Sequence, residues 1–256
     1  MFFSTVDKLI LFPLVFLAGL VDSIAGGGGL ISLPAYLFIG VSSHYALGTN
    51  KLSSTIGTIF STLRYAKNKA IVYRVAVPSV IGAILGSYLG AKVALLFSSN
   101  TLKIILTVLI PVAALFVLIG RKNESSKTKI GKININKTYV ISFFVGLIIG
   151  MYDGFFGPGT GTFLIILYVS VLNFDHVSAS GTAKIVNLSS NIGALVTFIL
   201  NKKVIYSLGI PAAMFGILGN WIGAGLALKR GSGIIKPVML GVLSLLLVKI
   251  LSDLIK

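Results

Sequence analysis

A chain of 256 residues that is 55% hydrophobic and 11% charged, with a mean hydropathy of +0.99, is not a water-soluble domain. It reads as an all-α integral membrane protein, because backbone polar groups in lipid must be satisfied within the segment, and its continuous, non-alternating apolar runs exclude a β-barrel. The net charge of +16 lies in short loops and forms no continuous basic face for nucleic acid, so it reads as topology signals and contacts with anionic headgroups.

The first apolar segment covers residues 9–40. It carries Asp22 where a signal peptide would need a small-residue cleavage site, so it reads as retained in the mature chain. At about 1.5 Å per residue it is too long for one straight crossing. "DSIAGGGG" interrupts it near the middle, which predicts a broken helix or a re-entrant hairpin. Segments at 45–63, 75–97 and 101–119 follow. The polar stretch 121–137 lacks apolar periodicity and reads as a solvated cytoplasmic loop. Segment five, 138–172, is again overlong and interrupted, at "DGFFGPGTG", and segments at 177–200, 206–228 and 234–252 complete about eight.

The two interruptions are copies of each other. Asp22 matches Asp153, Gly26 matches Gly157 and Gly28 matches Gly159. "ALGTNK" at 46–51 returns as "ASGTAK" at 179–184, and "NKAIVYRVAVP" at 68–78 as "NKKVIYSLGIP" at 201–211. The chain is an internal duplication, with a first transmembrane repeat over 1–120 and a second over 138–256. If segments one and five cross fully, the halves are parallel, and fifteen basic residues lie inside against five outside. If both turn back at their glycines, the halves are inverted and the split is thirteen against seven. Basic residues favour the first slightly; broken helices in transporters accompany the second.

A helix broken inside the bilayer leaves free N–H groups at the start of its second half, and these with the helix dipole favour an anion. Gly26, Gly27, Gly28 and Gly29 let backbone approach a ligand without obstruction. Gly157, Gly159, Thr160 and Gly161 repeat the device, with Pro158 fixing a turn and Thr160 adding a hydroxyl. Glycines also permit close helix packing, which suits the four-spaced Gly82, Gly86 and Gly90 and the counterparts Gly219 and Gly223. Lys51 and Lys184 stand at matched positions inside segments two and six, where a charge costs about 2.5–3.5 kcal/mol. Either each neutralises the Asp of its own copy, Lys51 with Asp22 and Lys184 with Asp153, or both serve an anion with Thr49, Asn50, Ser53, Ser54, Thr182, Asn187, Ser189, Ser190 and Asn191. Asp22 and Asp153 suit helix capping or proton coupling.

Other chemistry finds no support. The chain lacks a "GK[ST]" loop, an HExxH motif and any cysteine, and the histidines of two matched loops, His44 and His176, make no metal site. No catalytic residue, metal or cofactor is expected.

"AGLVDSIAGGGGLISLPAYL" followed by "ALGTNKLSSTIGTIFSTLRY" resembles the TauE/SafE family of sulfite exporters, and the degenerate second copy extends the resemblance over nearly the whole chain. The resemblance implies a plasma-membrane permease for small sulfur-containing anions such as sulfite or organosulfonates. The expected site is Lys51, Lys184, Asn50, Asn187 and the glycine breaks, converging near the midplane, with one half rocking against the other. An anion channel or carboxylate permease would use the same donors. A membrane scaffold or enzyme would not need them. Oligomerisation is compatible with every one of these readings.

Overall fold

The computed structural model describes residues 3–102, 104, 105, 108, 135–234, 237 and 238. Among them every regular element is a helix: α1 (Thr5–Ala25), α2 (Gly29–Phe38), α3 (Ser43–Lys67), α4 (Tyr73–Leu96), α5 (Ile135–Phe155), α6 (Thr160–Ser170), α7 (His176–Leu200) and α8 (Tyr206–Arg230). The segments predicted at 101–119 and 234–252 and most of the 121–137 stretch lie outside the described residues. Helices α1, α4, α5, α7 and α8 are long and apolar enough to cross a membrane. Helix α3 is equally long but far more polar, and its Ser, Thr and Asn side chains are mostly buried. The molecule is apolar outside and polar within. Leu85 and Leu89 of α4 and Met214 and Leu218 of α8 face outward, while Lys51, Asp153, Lys184 and Asn187 are buried, the arrangement lipid demands.

Both overlong segments break at their glycines and turn back. Gly26 and Gly27 take φ of 74° and 85°, in the left-handed region open to glycine. Gly28 then packs against the carbonyl of Ala18, ten residues earlier, which a continuous helix would leave about 15 Å behind. The second break does the same through Gly157 and Gly159, at φ of 95° and 88°, and the ring of Phe163 on α6 meets Tyr152 on α5 edge-on at 5.4 Å. Of the two forms the sequence allowed, the hairpin is the one adopted. The histidines assigned to loops instead begin helices, His44 in the first turn of α3 and His176 at the start of α7.

Helices of one copy pack on helices of the other. Gly82, Gly86 and Gly90 of α4 lie against the backbone of Phe143, Leu147 and Met151 of α5, and Gly146, Gly150 and Gly154 of α5 return the contact on Ser79, Ala83 and Ser87. Gly219 and Gly223 of α8 sit on Phe16 and Leu20 of α1. Small residues let these backbones touch, which in lipid replaces a hydrophobic driving force. Contact order along each helix fixes direction. Gly48 packs on Phe198 and Lys203 while Lys51, further along α3, reaches back to Asn191, so α3 and its copy α7 are antiparallel. Helix α3 is parallel to α8, with Leu52 beside Gly209 and Ser61 beside Asn220.

Candidate functional site

The two breaks meet face to face. A Cβ on Gly26 would overlap the backbone of Gly161 and Thr162, Gly29 packs on Pro158, and the Thr162 hydroxyl donates to the Ala25 carbonyl at 3.0 Å. Around this junction α1, α2, α3, α5, α6, α7 and α8 line a cavity of about 40 Å³. Its wall carries Gly27, Gly28, Gly29, Asn50, Lys51, Ser54, Gly157, Gly159, Thr160, Gly161 and Asn187, with both carboxylates, Asp22 and Asp153. Most of the residues selected on sequence therefore come together.

The ion pairs are crossed. Lys51 Nζ lies 2.7 Å from Asp153 Oδ2, and Lys184 Nζ lies 2.5 Å from Asp22 Oδ2. The expectation that each lysine pairs within its own copy is thus corrected: the backward turn of each break carries its aspartate to the lysine of the other copy. The surroundings of the two pairs differ. Asp153 also accepts from the Thr160 hydroxyl at 2.8 Å and the Ser190 hydroxyl at 2.7 Å, and its side chain is 2% exposed. Among the described residues Asp22 accepts, besides Lys184, only the Gly28 N–H at 3.3 Å, and it is 15% exposed. Lys51 is further held by Asn191 Oδ1 at 2.9 Å, whereas among the described residues Lys184 meets Asp22 alone. Asp22 therefore combines an N–H contact at its break with ion pairing, whereas Asp153 holds hydroxyls and a lysine.

Six of the selected residues lie off the cavity wall, among them Ser189, which donates to the Ile185 carbonyl, and Ser190, which donates to Asp153. Lys184 sits fully buried behind Asp22. Gly26 forms the contact between the breaks. Thr49 accepts from the Ile205 N–H at 3.0 Å and Thr182 from the Val72 N–H at 3.1 Å, each satisfying a donor where a helix of the other copy begins. Several polar groups near the cavity lack a partner. The N–H groups of Gly27 and Gly159 and the side chain of Asn187 meet no partner among the described residues, and Asn50 Oδ1 is buried without one. Sequence reasoning missed Asn220, Thr58 and Ser32 at the wall. Asn220 was findable as a lone amide inside the apolar "ILGNWIGAG" stretch.

Residues 11–250 match the family described as Sulfite exporter TauE/SafE. The chain is 33% identical to "Probable membrane transporter protein ORF9" of Sinorhizobium sp, over 95% of this chain and 92% of that protein. It is 34% identical to "Probable membrane transporter protein YfcA" of Escherichia coli K12, over 95% and 89%, and 33% identical to a "Probable membrane transporter protein" of Haemophilus influenzae, over 90% and 89%. No solved structure matches. With crossed lysine–aspartate pairs inside a membrane-type helical fold and a family match over nearly its whole length, the chain belongs to the Sulfite exporter TauE/SafE family of membrane transporters.

Proposed function

We propose that the protein carries a small oxyanion of the sulfite or sulfonate class across the plasma membrane, binding it in the cavity between the two glycine breaks. One observation carries this reading. The wall presents Lys51, the free N–H groups of Gly27 and Gly159 and the amide side chain of Asn187 to one small space. Unsatisfied donors in a membrane interior are expensive unless a guest meets them. Helix N-termini at Gly29 and Thr160 add positive potential from two sides.

Size narrows the guest. A cavity of about 40 Å³ suits a small guest and not a bulky organic anion. The sulfur itself comes from the family resemblance, since a carboxylate would meet the same donors. The turned-back breaks and the antiparallel α3 and α7 support inverted halves, the first repeat entering from the outside and the linker at 121–137 lying in the cytoplasm. Alternating access then comes from one repeat rocking against the other around the breaks. The glycine contacts of α4 with α5 and α1 with α8 each join one repeat to the other, so they are the smooth surfaces along which the repeats would slide.

Counterflow in proteoliposomes tests the reading. Labelled sulfite should enter against a preloaded pool with saturable kinetics, and sulfate, methanesulfonate and acetate should compete in an order set by size and charge. Current linear in voltage without exchange would indicate a channel. Absence of flux for every anion would remove transport of this class.

A further inference from the structure

The four buried charges of the site sum to zero, which creates a difficulty for an anion. Lys51, Asp153 and Asp22 stand at the wall, and Lys184 is shielded from the cavity by Asp22. A monoanion entering this set would leave one uncompensated negative charge in a water-poor interior, where unpaired charge is strongly disfavoured. It would also face two carboxylates directly. A proton arriving with the anion removes both problems.

We infer that the transporter moves its anion together with a proton, and that Asp22 carries the proton. This rests on the anion site described above. The choice between the two aspartates follows from their donors. Asp153 has hydroxyls on both oxygens and Lys51 on one of them, so an added proton would have to displace an existing partner. In the other copy the residues equivalent to Thr160 and Ser190 are Gly29 and Gly57, which have no hydroxyl to offer. Asp22 is left with one long bond on Oδ1, from Gly28, and a side that opens to the cavity.

The charged and titratable groups around Asp22 are few. Lys184 faces it from α7, Lys51 and Asp153 lie across the cavity from α3 and α5, and Tyr65 of α3 donates to the Ser23 carbonyl next in sequence. Helices α2, α6 and α8 present no ionisable side chain to the wall. A proton from water on the open side binds Asp22, the set of four groups becomes positive by one charge, and Lys184, no longer offset by Asp22, supplies the attraction that holds the anion. After reorientation the anion leaves, the proton leaves to the other side, and Asp22 pairs with Lys184 again. Because linkage is reciprocal, a proton that raises anion affinity is itself bound more tightly when the anion is present.

The test is calorimetry on purified protein in nanodiscs with methanesulfonate and sulfate, whose own charges stay constant between about pH 5 and about pH 8, so any pH slope belongs to the protein. Methanesulfonate affinity should rise by up to about tenfold per unit as pH falls through the titration of Asp22. Titrations in two buffers of different ionisation enthalpy should show about one proton taken up per methanesulfonate bound, a measurement on the unaltered protein. Asp22→Asn should bind at every pH as tightly as the wild type does at low pH, and Asp153→Asn should keep the slope. Affinity independent of pH with no proton uptake would overturn the coupling while leaving the anion site intact. A slope retained in Asp22→Asn and lost in Asp153→Asn would overturn the assignment to Asp22. Failure of the wild type to bind either anion at any pH would remove the anion site, and this inference with it.

Discussion

Ser190 and Thr160 show how single side chains divide two copies of one motif. Both donate to Asp153, and both align with glycine in the first repeat. A hydrogen bond to a buried charged group contributes about 1.5–3 kcal/mol, so Ser190→Ala should lower stability by that order in thermal unfolding of the solubilised protein. Unchanged unfolding would mean that Lys51 and Thr160 suffice to hold the carboxylate. The chemistry of these residues was legible in the sequence, since a lysine and an aspartate repeated within apolar runs announce an interior polar site. Their pairing was not. Register within one copy suggested Lys51 with Asp22, and only the reversal of the chain at Gly28 shows why the partner is Asp153.

Among the helices, the interrupted segments one and five were evident from length and glycine content, and both are found as helix pairs, α1–α2 and α5–α6. Whether each break ran on or turned back was not readable, because glycine permits either path and the deciding contact, Gly28 on Ala18, is tertiary. The glycine stripes behave as packing surfaces. A methyl at Gly86 would strike the Leu147 carbonyl, whereas Gly233 has open space beside its Cα. Gly86→Ala should therefore lower the unfolding temperature clearly and Gly233→Ala should not; equal effects would contradict close backbone contact between α4 and α5. Helix starts carry their own stabilisation. Asp175 caps α7 through the N–H groups of Val177 and Ser178, both at 3.0 Å. Partial burial pushes its carboxyl up, but the hydrogen bonds from Ser178 and Val177 outweigh this and hold it below its usual range. A lowered folded-state value means that this stabilisation is present at neutral pH and is lost as pH falls through that value. Asp175→Ala should lower stability by about 1 kcal/mol at pH 7 and by much less in acid, measured by thermal unfolding.

At the scale of the molecule, helices α1–α4 and α5–α8 interlock, and each group places its break, its lysine and its glycine stripe against the other. The duplication was plain in the sequence; its handedness was not, because counts of basic residues differed little between parallel and inverted halves. The antiparallel course of α3 and α7 supplies what charge did not. With no cysteine in the chain, single cysteines can test the placement directly. Under inverted halves, Lys202→Cys should react with an impermeant maleimide added to intact cells and Lys69→Cys should not. Equal protection of both positions would favour parallel halves.

The account depends most on Lys51 facing a negatively charged guest in the cavity. The most direct measurement is sulfite counterflow through Lys51→Met combined with Asp153→Asn, a change that removes the pair without stranding a buried charge. Protein that folds with near-normal thermal stability but exchanges sulfite at least about tenfold more slowly is the predicted result, since tenfold corresponds to about 1.4 kcal/mol of lost anion stabilisation. Exchange at the wild-type rate would contradict it.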